Sequence, residues 1–433
     1  MAVNHAGPLK VTIVGAGLGG LACAIACHRR GFDVMVLEQA REFLRIGDSI
    51  GLGSNSARLL RRWGLGEELD RINTRIDNME IYNFDSSDKV LGVDTQVGEA
   101  EDKYGCMPFI GHRGDIHQLM ADYCKKLGVP VKMATTVTEY DDNKPSVTLA
   151  NGQEVTSDVI ICADGVKSKG RHAVLGYEDK PIHSGYAIYR GYVDAKAVSE
   201  DPLTAKFVKQ DKIRLFLAPD MHCIITTLRN GSEVNAVLTH KDTADIEEGW
   251  NKPGDKADVL RILESWDPAV RRVWENMNNS DIIDWKLIYR PCLPQWVSES
   301  GLVALMGDAA HPFLPTSVQG ASQAIEDAAT LATCLSKVNR GGVALALHSY
   351  FDIRHDYVAE AQQTGISQRN TWHDTHDRES KRFKEEFNIQ KVSQNNFHLW
   401  ANDAEDVVET KWDEVSKKVA QRLARTMRLE IEA

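Results

Sequence analysis

Leu9-Lys10-Val11-Thr12-Ile13-Val14 runs straight into Gly15-Ala16-Gly17-Leu18-Gly19-Gly20, and this junction decides the fold. The apolar part is a β-branched run, the mark of a parallel strand buried on both faces. Gly15, Gly17 and Gly20 satisfy G-x-G-x-x-G. In that pattern Gly15 permits the tight turn, Gly17 lets backbone approach a pyrophosphate, and Gly20 lets helix and strand pack closely. A small-residue helix follows from about Leu18 to Arg30, and Gly31 stands where a left-handed residue stops it. Val34-Met35-Val36-Leu37 is a second strand. Glu38 ends it, where a carboxylate accepts the ribose hydroxyls of a dinucleotide. Together these pieces predict a βαβ nucleotide-binding unit opening a doubly wound α/β fold.

Outward from this unit, Ser146-Val147-Thr148-Leu149, Asn151-Gly152 and Glu154-Val155 read as a hairpin, since Asn-Gly between β-patterned runs favours the tight turn. Asp158-Val159-Ile160-Ile161-Cys162 returns to the buried-strand pattern. From about 181 to 289 short β-patterned runs alternate with turn residues, predicting a mostly antiparallel second sheet that walls a substrate chamber. The dinucleotide fold resumes at Leu302-Val303-Ala304-Leu305-Met306, and a long amphipathic helix follows from about Gly320 to Val338. The expected organisation is a dinucleotide domain in two parts (1–180 and 290–360), a substrate domain inserted at 181–289, and a helical region at 361–433. In that tail Val408, Trp412, Val415, Val419 and Leu423 form one apolar stripe. The stripe predicts packing on the protein's own body, with a dimer seam as the alternative, so a monomer or a homodimer is expected.

The composition excludes several classes. With 433 residues, 42% hydrophobic and 26% charged, the chain is neither disordered nor a disulfide-dense mini-protein. Its net charge of −11 argues against nucleic acid or an anionic membrane as partner, because both reward a basic face. Eight cysteines without a C-x-x-C pair point to a reducing, cytoplasmic compartment and to no metal site. Val11 to Cys27 lacks charge and superficially resembles a signal peptide, but Gly15, Gly17, Gly19 and Gly20 crowd its middle. The expectation is a protein with no targeting or membrane segment.

Three motifs in order carry a family resemblance: the glycine turn with Glu38; Cys162-Ala163-Asp164-Gly165 with Ser168 and Arg171; and Gly307-Asp308-Ala309-Ala310-His311-Pro312, followed by Pro315, Gln319-Gly320 and Ile325-Glu326-Asp327. His112-Arg113 before Asp115-Ile116-His117 adds a fourth match. The chain resembles the single-component FAD-dependent monooxygenases of the salicylate-hydroxylase and para-hydroxybenzoate-hydroxylase type, over about Lys10 to Arg354. The resemblance implies a Rossmann-like FAD-binding domain with an inserted, mostly antiparallel β-sheet substrate domain. It implies that NADPH or NADH reduces FAD and that one oxygen atom of dioxygen reaches a small aromatic or indole-like substrate through a flavin hydroperoxide. It also implies that Gly15, Gly17, Gly20, Glu38, Gly51, Arg113, Asp164, Asp308, Gly320 and Ala321 hold the cofactor. Asp308 suits the ribityl hydroxyls. The helix N-terminus at Gly320 and Ala321 suits the flavin's pyrimidine edge, which is negative when reduced.

Departures from the family's pattern separate the possible reactions. Cys162 stands where the family has Gly, and Gly170 replaces a common apolar residue; both changes predict altered packing more than altered chemistry. Ala218 before Pro219 stands where many aromatic hydroxylases have Tyr. Asp48 follows Gly47 where a small residue is common, and reads as a general base, a partner for a substrate amine, or a turn residue. Arg190, in Tyr189-Arg190-Gly191, reads as an anchor for a carboxylate or phenolate, as a group polarising the transferred oxygen, or as an interdomain ion-pair residue. Arg190 and Asp48 are therefore the candidate catalytic residues. Hydroxylation of a phenol or aromatic acid is the leading expectation and epoxidation of an indole or alkene the alternative. A flavin-dependent dehydrogenase or flavin-binding regulator is the remaining class. His222, His240, His373 and His376 show no metal-ligand spacing and are expected at surface or capping positions.

Overall fold

The computed structural model describes residues 7–45, 47–141, 144–242, 252–373, 389–393 and 397–432. Five parallel strands form the central sheet in the order Val303–Leu305, Val159–Cys162, Lys10–Val14, Asp33–Leu37 and Val131–Lys132. The opening strand has the next strand in sequence, Asp33–Leu37, on one side and the distant Val159–Cys162 on the other, as a doubly wound sheet requires. The opening helix, Leu18–Arg29, lies between this sheet and the helix Gly320–Ser336, and its residues from Leu18 to Cys27 are almost all buried. Such a helix is apolar all round because no face of it meets water. The signal-like run is thus core strand and core helix, and among the described residues no helix is long and apolar enough to cross a membrane. Ser146–Leu149 pairs with Glu154–Thr156 across Gly152, whose φ is +82°, as the Asn-Gly pair predicts.

The second sheet has eight strands, and its main body comes from Ile182–Val193, Lys212–Ala218, Met221–Leu228, Glu233–Lys241 and Ile283–Tyr289. Two further strands, Met79–Asn83 and Val90–Asp94, come from outside the expected 181–289 insert. Met79–Asn83 joins Lys212–Ala218 in parallel, the exception in a sheet otherwise antiparallel. Alternation along Ile182–Val193 sends Tyr189 into a core formed with the helices Lys256–Ile262 and Pro268–Glu275. Tyr186, Ile188 and Arg190 take the other face. There Ile188 packs with Leu287 and Leu314, the last from the loop before Gly320, and Tyr186, Val237 and Trp285 pack around them. This apolar, aromatic face looks toward the dinucleotide domain.

The helix Val343–His373 runs straight through the expected boundary at 360/361, so the dinucleotide domain and the tail share one continuous element. Ala404–Glu432 packs back on the body: Val408 and Val419 are fully buried and Trp412 packs against the main core. Of the two readings of the apolar stripe, packing on the protein's own body is the one observed.

Candidate active site

At the glycine turn, Gly15 has φ +103°, and a Cβ there would lie 2.3 Å from Ala163 O. A Cβ on Gly20 would lie 2.0 Å from Gly15 O, so both positions exclude any side chain. Gly17 faces open space, with no atom within 4 Å of an added Cβ, which leaves its backbone approachable by a phosphate. Glu38 closes the turn: Oε2 accepts from Ala16 N at 2.7 Å and Oε1 from Ala40 N at 2.7 Å. His117, edge-on to Phe43, bonds Ala16 O through Nε2 at 2.6 Å, and burial lowers its pKa. Sequence reasoning placed His117 only within a motif; the structure makes it a support of the glycine turn.

The second motif is built around Asp164. Its Oδ2 accepts from Tyr140 Oη at 2.8 Å and from Lys169 N at 3.0 Å, while its buried Oδ1 has no donor among the described residues. The two departures here are one event: a Cβ on Gly170 would lie 2.3 Å from Cys162 Sγ, so the cysteine occupies the volume of a larger residue at 170. Arg171, 4% exposed, donates Nε to Ala309 O, Nη2 to Asp308 O and Nη1 to Val166 O at 3.0–3.1 Å. It thereby ties the second motif to the third. Burial lowers its pKa to about 10, so it stays charged at neutral pH.

Asp308 follows the strand Val303–Leu305. Its side chain is open to solvent, yet desolvation by the surrounding protein raises its pKa, with His311, Arg113 and Arg171 pulling the other way. An accessible carboxylate that feels desolvation lies on the floor of a cleft. Below it a buried charge network fixes the helix Gly320–Ser336. Asp327 accepts from His311 Nε2 (2.6 Å), Gly307 N (2.9 Å) and Arg354 Nε (2.9 Å). Arg354 also donates to Glu326 Oε2 at 2.9 Å and to Gln323 Oε1 at 2.6 Å. Gln323 in turn donates to Gln319 Oε1 at 3.2 Å, and the buried Gln319 Nε2 has no acceptor among the described residues at the start of the helix. Gly320 and Ala321 occupy the first turn, whose N–H groups have no acceptor within the helix. Gly51 lies alongside: a Cβ on it would be 3.1 Å from Val318 Cγ1, and Val318 itself takes a left-handed φ of +51°. Arg113 begins the helix Arg113–Lys126, and burial and the neighbouring Arg190 lower its pKa.

These residues suit FAD. The open backbone at Gly17 and the glycine cradle fit a pyrophosphate. The accessible interior carboxylate of Asp308 fits polyol hydroxyls, and the orphaned Gln319 amide with the first turn at Gly320 fits the oxygen- and nitrogen-rich edge of the ring.

On the chamber side Arg190 Nη1 donates to Asp48 Oδ2 at 2.7 Å, and its guanidinium lies 5.1 Å over the Trp285 ring. The Arg190 side chain is 4% exposed and that of Asp48 is 23%. Asp48 is held from behind, because Arg113 N donates to its carbonyl at 2.9 Å. Upstream, Arg45 bonds Asp115 at 2.6 Å and Glu233 at 2.7 Å. Trp285 was not foreseen, since nothing in a lone strand Trp announces a cationic neighbour. Ala218 lies in the far core with Phe216 and Tyr82, so its side chain does not line the chamber and carries no argument about phenol activation. His222 and His373 are buried, not superficial: His222 Nδ1 and His373 Nε2 are 2.8 Å apart, and Thr239 Oγ1 is 3.1 Å from His222 Nε2. His240 is also buried, stacked on Tyr189 at 4.4 Å. His376 lies outside the described residues.

Comparison with known proteins agrees with this geometry. Residues 8–364 match the family model described as FAD binding domain. Asperlicin C monooxygenase of Petromyces alliaceus is 32% identical over 388 residues, covering 85% of this chain and 81% of the relative. The FAD-dependent monooxygenase nodY2 of Hypoxylon pulicicidum is 32% identical over 385 residues, covering 82% and 81%. Among solved structures, CtdE in complex with FAD and a substrate superposes with a TM-score of 0.86 at 25% identity, covering 95% of this chain and 100% of that one. Salicylate hydroxylase in its substrate complex shares the fold, with a TM-score of 0.77 at 22% identity over 93% and 97%. With its glycine cradle, its Asp308 cleft and these relatives, the chain belongs to the FAD binding domain family, in the company of FAD-dependent monooxygenases.

Proposed function

We propose that the protein uses NADPH or NADH and dioxygen to insert one oxygen atom into a neutral, electron-rich aromatic or alkene, with epoxidation of an indole-like ring as the reaction. The carrying observation is the Arg190–Asp48 pair at 2.7 Å. A guanidinium already neutralised by a carboxylate is a poor anchor for an aromatic acid, whereas a fixed, charge-assisted donor beside an aromatic wall suits a neutral substrate on whose oxygen negative charge develops. When bound, FAD supplies the oxygen-activating chemistry. The protein's share is to orient and to exclude water. Tyr186 and Trp285, part-exposed over the buried Ile188, Leu287 and Leu314, would offer an aromatic wall to a flat ring. Arg190 donates hydrogen bonds to the oxygen as it arrives, and Asp48 fixes the guanidinium in place. The relatives support the coarser part of this reading, being named monooxygenases, the first of them an asperlicin C monooxygenase.

The test is an absorbance scan of purified protein for flavin, followed by NAD(P)H oxidation and oxygen uptake in air with indoles, alkenes, phenols and aromatic acids. Oxidation stimulated by neutral indoles or alkenes, with an oxygenated product, supports the reading. Stimulation by carboxylate-bearing aromatics alone would return Arg190 to the role of anchor and give hydroxylation. Substrate oxidation without oxygen incorporation would indicate a dehydrogenase.

A further inference from the structure

Beyond residue 364, where the family match ends, Phe397–Ala401 forms a short helical turn, and Asn402 and Asp403 lead into the helix Ala404–Glu432. Phe397, Leu399 and Trp400 in this turn are buried. The segment is fastened at several points to the cofactor side of the molecule. Asn402 Nδ2 donates to Glu326 Oε1 at 2.8 Å, and Arg58 Nη1 donates to Asn402 O at 2.8 Å. Arg62 bonds Asp403 and Glu405, and Trp63 Nε1 donates to Glu405 Oε1 at 3.1 Å. Trp400 lies directly on Gly53: an added Cβ there would be 2.4 Å from Trp400 Nε1 and 2.5 Å from Asn55 Oδ1.

These contacts meet the flavin-facing elements at their roots. Glu326 is fully buried, and burial raises its pKa against the opposing pull of Arg354, Asn402 and Asn55, which bond its oxygens. Asn55 stands in the first turn of the helix Ser54–Leu60, which follows the strand Ser49–Leu52 that carries Gly51. Gly53 N donates to Ser322 Oγ at 3.1 Å, and Ser56 Oγ donates to the same oxygen at 2.9 Å. Ser322 stands in the first turn of the helix whose N-terminus is Gly320. The end of the strand bearing Gly51 and the helix N-terminus are thus one hydrogen-bonded unit through Gly53 and Ser56, and Trp400 and Asn402 close it from behind.

We propose that the segment Phe397–Glu405 is a positioning element of the FAD site: Asn402, through Glu326 and Asn55, and Trp400, through Gly53, set the placement of the helix N-terminus at Gly320 and Ala321 against the flavin. The inference rests on the FAD reading of that cleft. A helix N-terminus stabilises negative charge only within its first turn, so a small displacement of it lowers both the affinity for FAD and the stability of the reduced, anionic ring. Asn402 and Trp400 act through other groups and touch no substrate.

The test compares wild type, Asn402→Ala, Trp400→Phe and Val419→Ala. Val419 is fully buried in the same C-terminal helix but has no tie to Glu326 or Gly53, so it reports loss of packing alone. Each apoprotein is titrated with FAD by flavin fluorescence, the midpoint potential of the bound flavin is measured, and thermal unfolding is followed without cofactor. Asn402→Ala is expected to weaken FAD about tenfold, the loss of one hydrogen bond to a buried charge, and to lower the potential. Trp400→Phe, which keeps most of the packing, shifts both in the same direction by less and serves if Asn402→Ala does not fold. Val419→Ala loses thermal stability with affinity and potential unchanged. The proposal is overturned if Asn402→Ala and Trp400→Phe leave both readouts at wild-type values, or if Val419→Ala moves them equally. A wild-type protein that binds no FAD is a separate result: it removes the flavin assignment, and this inference with it.

Discussion

Replacing Gly170 by Ala puts a methyl carbon 2.3 Å from Cys162 Sγ and 2.7 Å from its Cβ, distances that demand a shift of more than an ångström in one side chain or the other. Cys162 is fully buried in the central sheet and cannot retreat, so the overpacking cost is about 1–3 kcal/mol. In a Cys162→Gly background both contacts vanish, and the nearest remaining atom is Tyr140 Cζ at 3.4 Å, an ordinary contact. Gly170 then sits in the first turn of Gly170–Leu175 with nothing against a methyl, and Gly→Ala is worth up to about 1 kcal/mol in favour of the helix. The same substitution therefore changes sign with its neighbour, giving a coupling of about 2–3 kcal/mol. Urea unfolding of the four apoproteins, followed by tryptophan fluorescence and analysed with a shared slope, measures it. Additivity within about 0.5 kcal/mol would refute the complementary-volume argument. Cys162→Ala provides an internal check, because its Cβ still lies 2.7 Å from the new methyl and it should rescue little.

Other outcomes follow from the site. Arg190→Leu should abolish oxygenated product while FAD stays bound; a variant that still couples NAD(P)H oxidation to product would end its catalytic assignment. Arg171→Lys keeps the charge but replaces three fixed donors by one mobile ammonium, so at least one of the carbonyls of Val166, Asp308 and Ala309 loses its partner. FAD affinity measured by titration should fall about tenfold or more, and an unchanged affinity would show that Arg171 does not place Asp308. Asp284, in the substrate sheet, has its pKa raised to about 6 by burial and by Asp242 and Asp258, with Lys252 opposing. A folded pKa above the unfolded value means that the protonated form favours the fold. Wild-type stability attributable to this group is therefore present below about pH 4 and is lost as pH rises through about 6. Asp284→Asn should be more stable than wild type at pH 8 and lose that advantage at pH 4, measured by thermal unfolding; an advantage independent of pH would refute it.

The parts of this structure that could be read from sequence are those whose signal is local. Lys10 to Glu38 declares a strand, a turn, a helix and a second strand within one short span, and the hairpin at Asn151-Gly152 is likewise decided by adjacent residues. What escaped reading depends on partners far along the chain. Met79–Asn83 joins the substrate sheet by pairing in parallel with Lys212–Ala218, and no local pattern records that choice. His222 and His373 are polar residues in segments of ordinary composition, and only folding brings them together. Asn402 looks like a turn residue until Glu326 is placed beside it. The substrate sheet showed the same limit: Arg190 and Asp48 could each be singled out, but their neutralising contact, on which the proposal of a neutral substrate rests, belongs to the tertiary structure.

The buried opening helix has a consequence for how the chain is made. Leu18–Arg29 is covered on one side by strands that include Val159–Cys162 and on another by Gly320–Ser336, so its cover is encoded some three hundred residues downstream. At about 5–20 residues per second, a ribosome takes roughly 15–60 s to deliver that second layer. Throughout that interval this apolar helix has left the exit tunnel with the adjacent strands Lys10–Val14 and Asp33–Leu37 but without the layer that covers its other side. Its solubility during synthesis then depends on chaperones that recognise short uncharged stretches, and the yield of folded protein should respond to translation speed more than to the stability of the finished molecule.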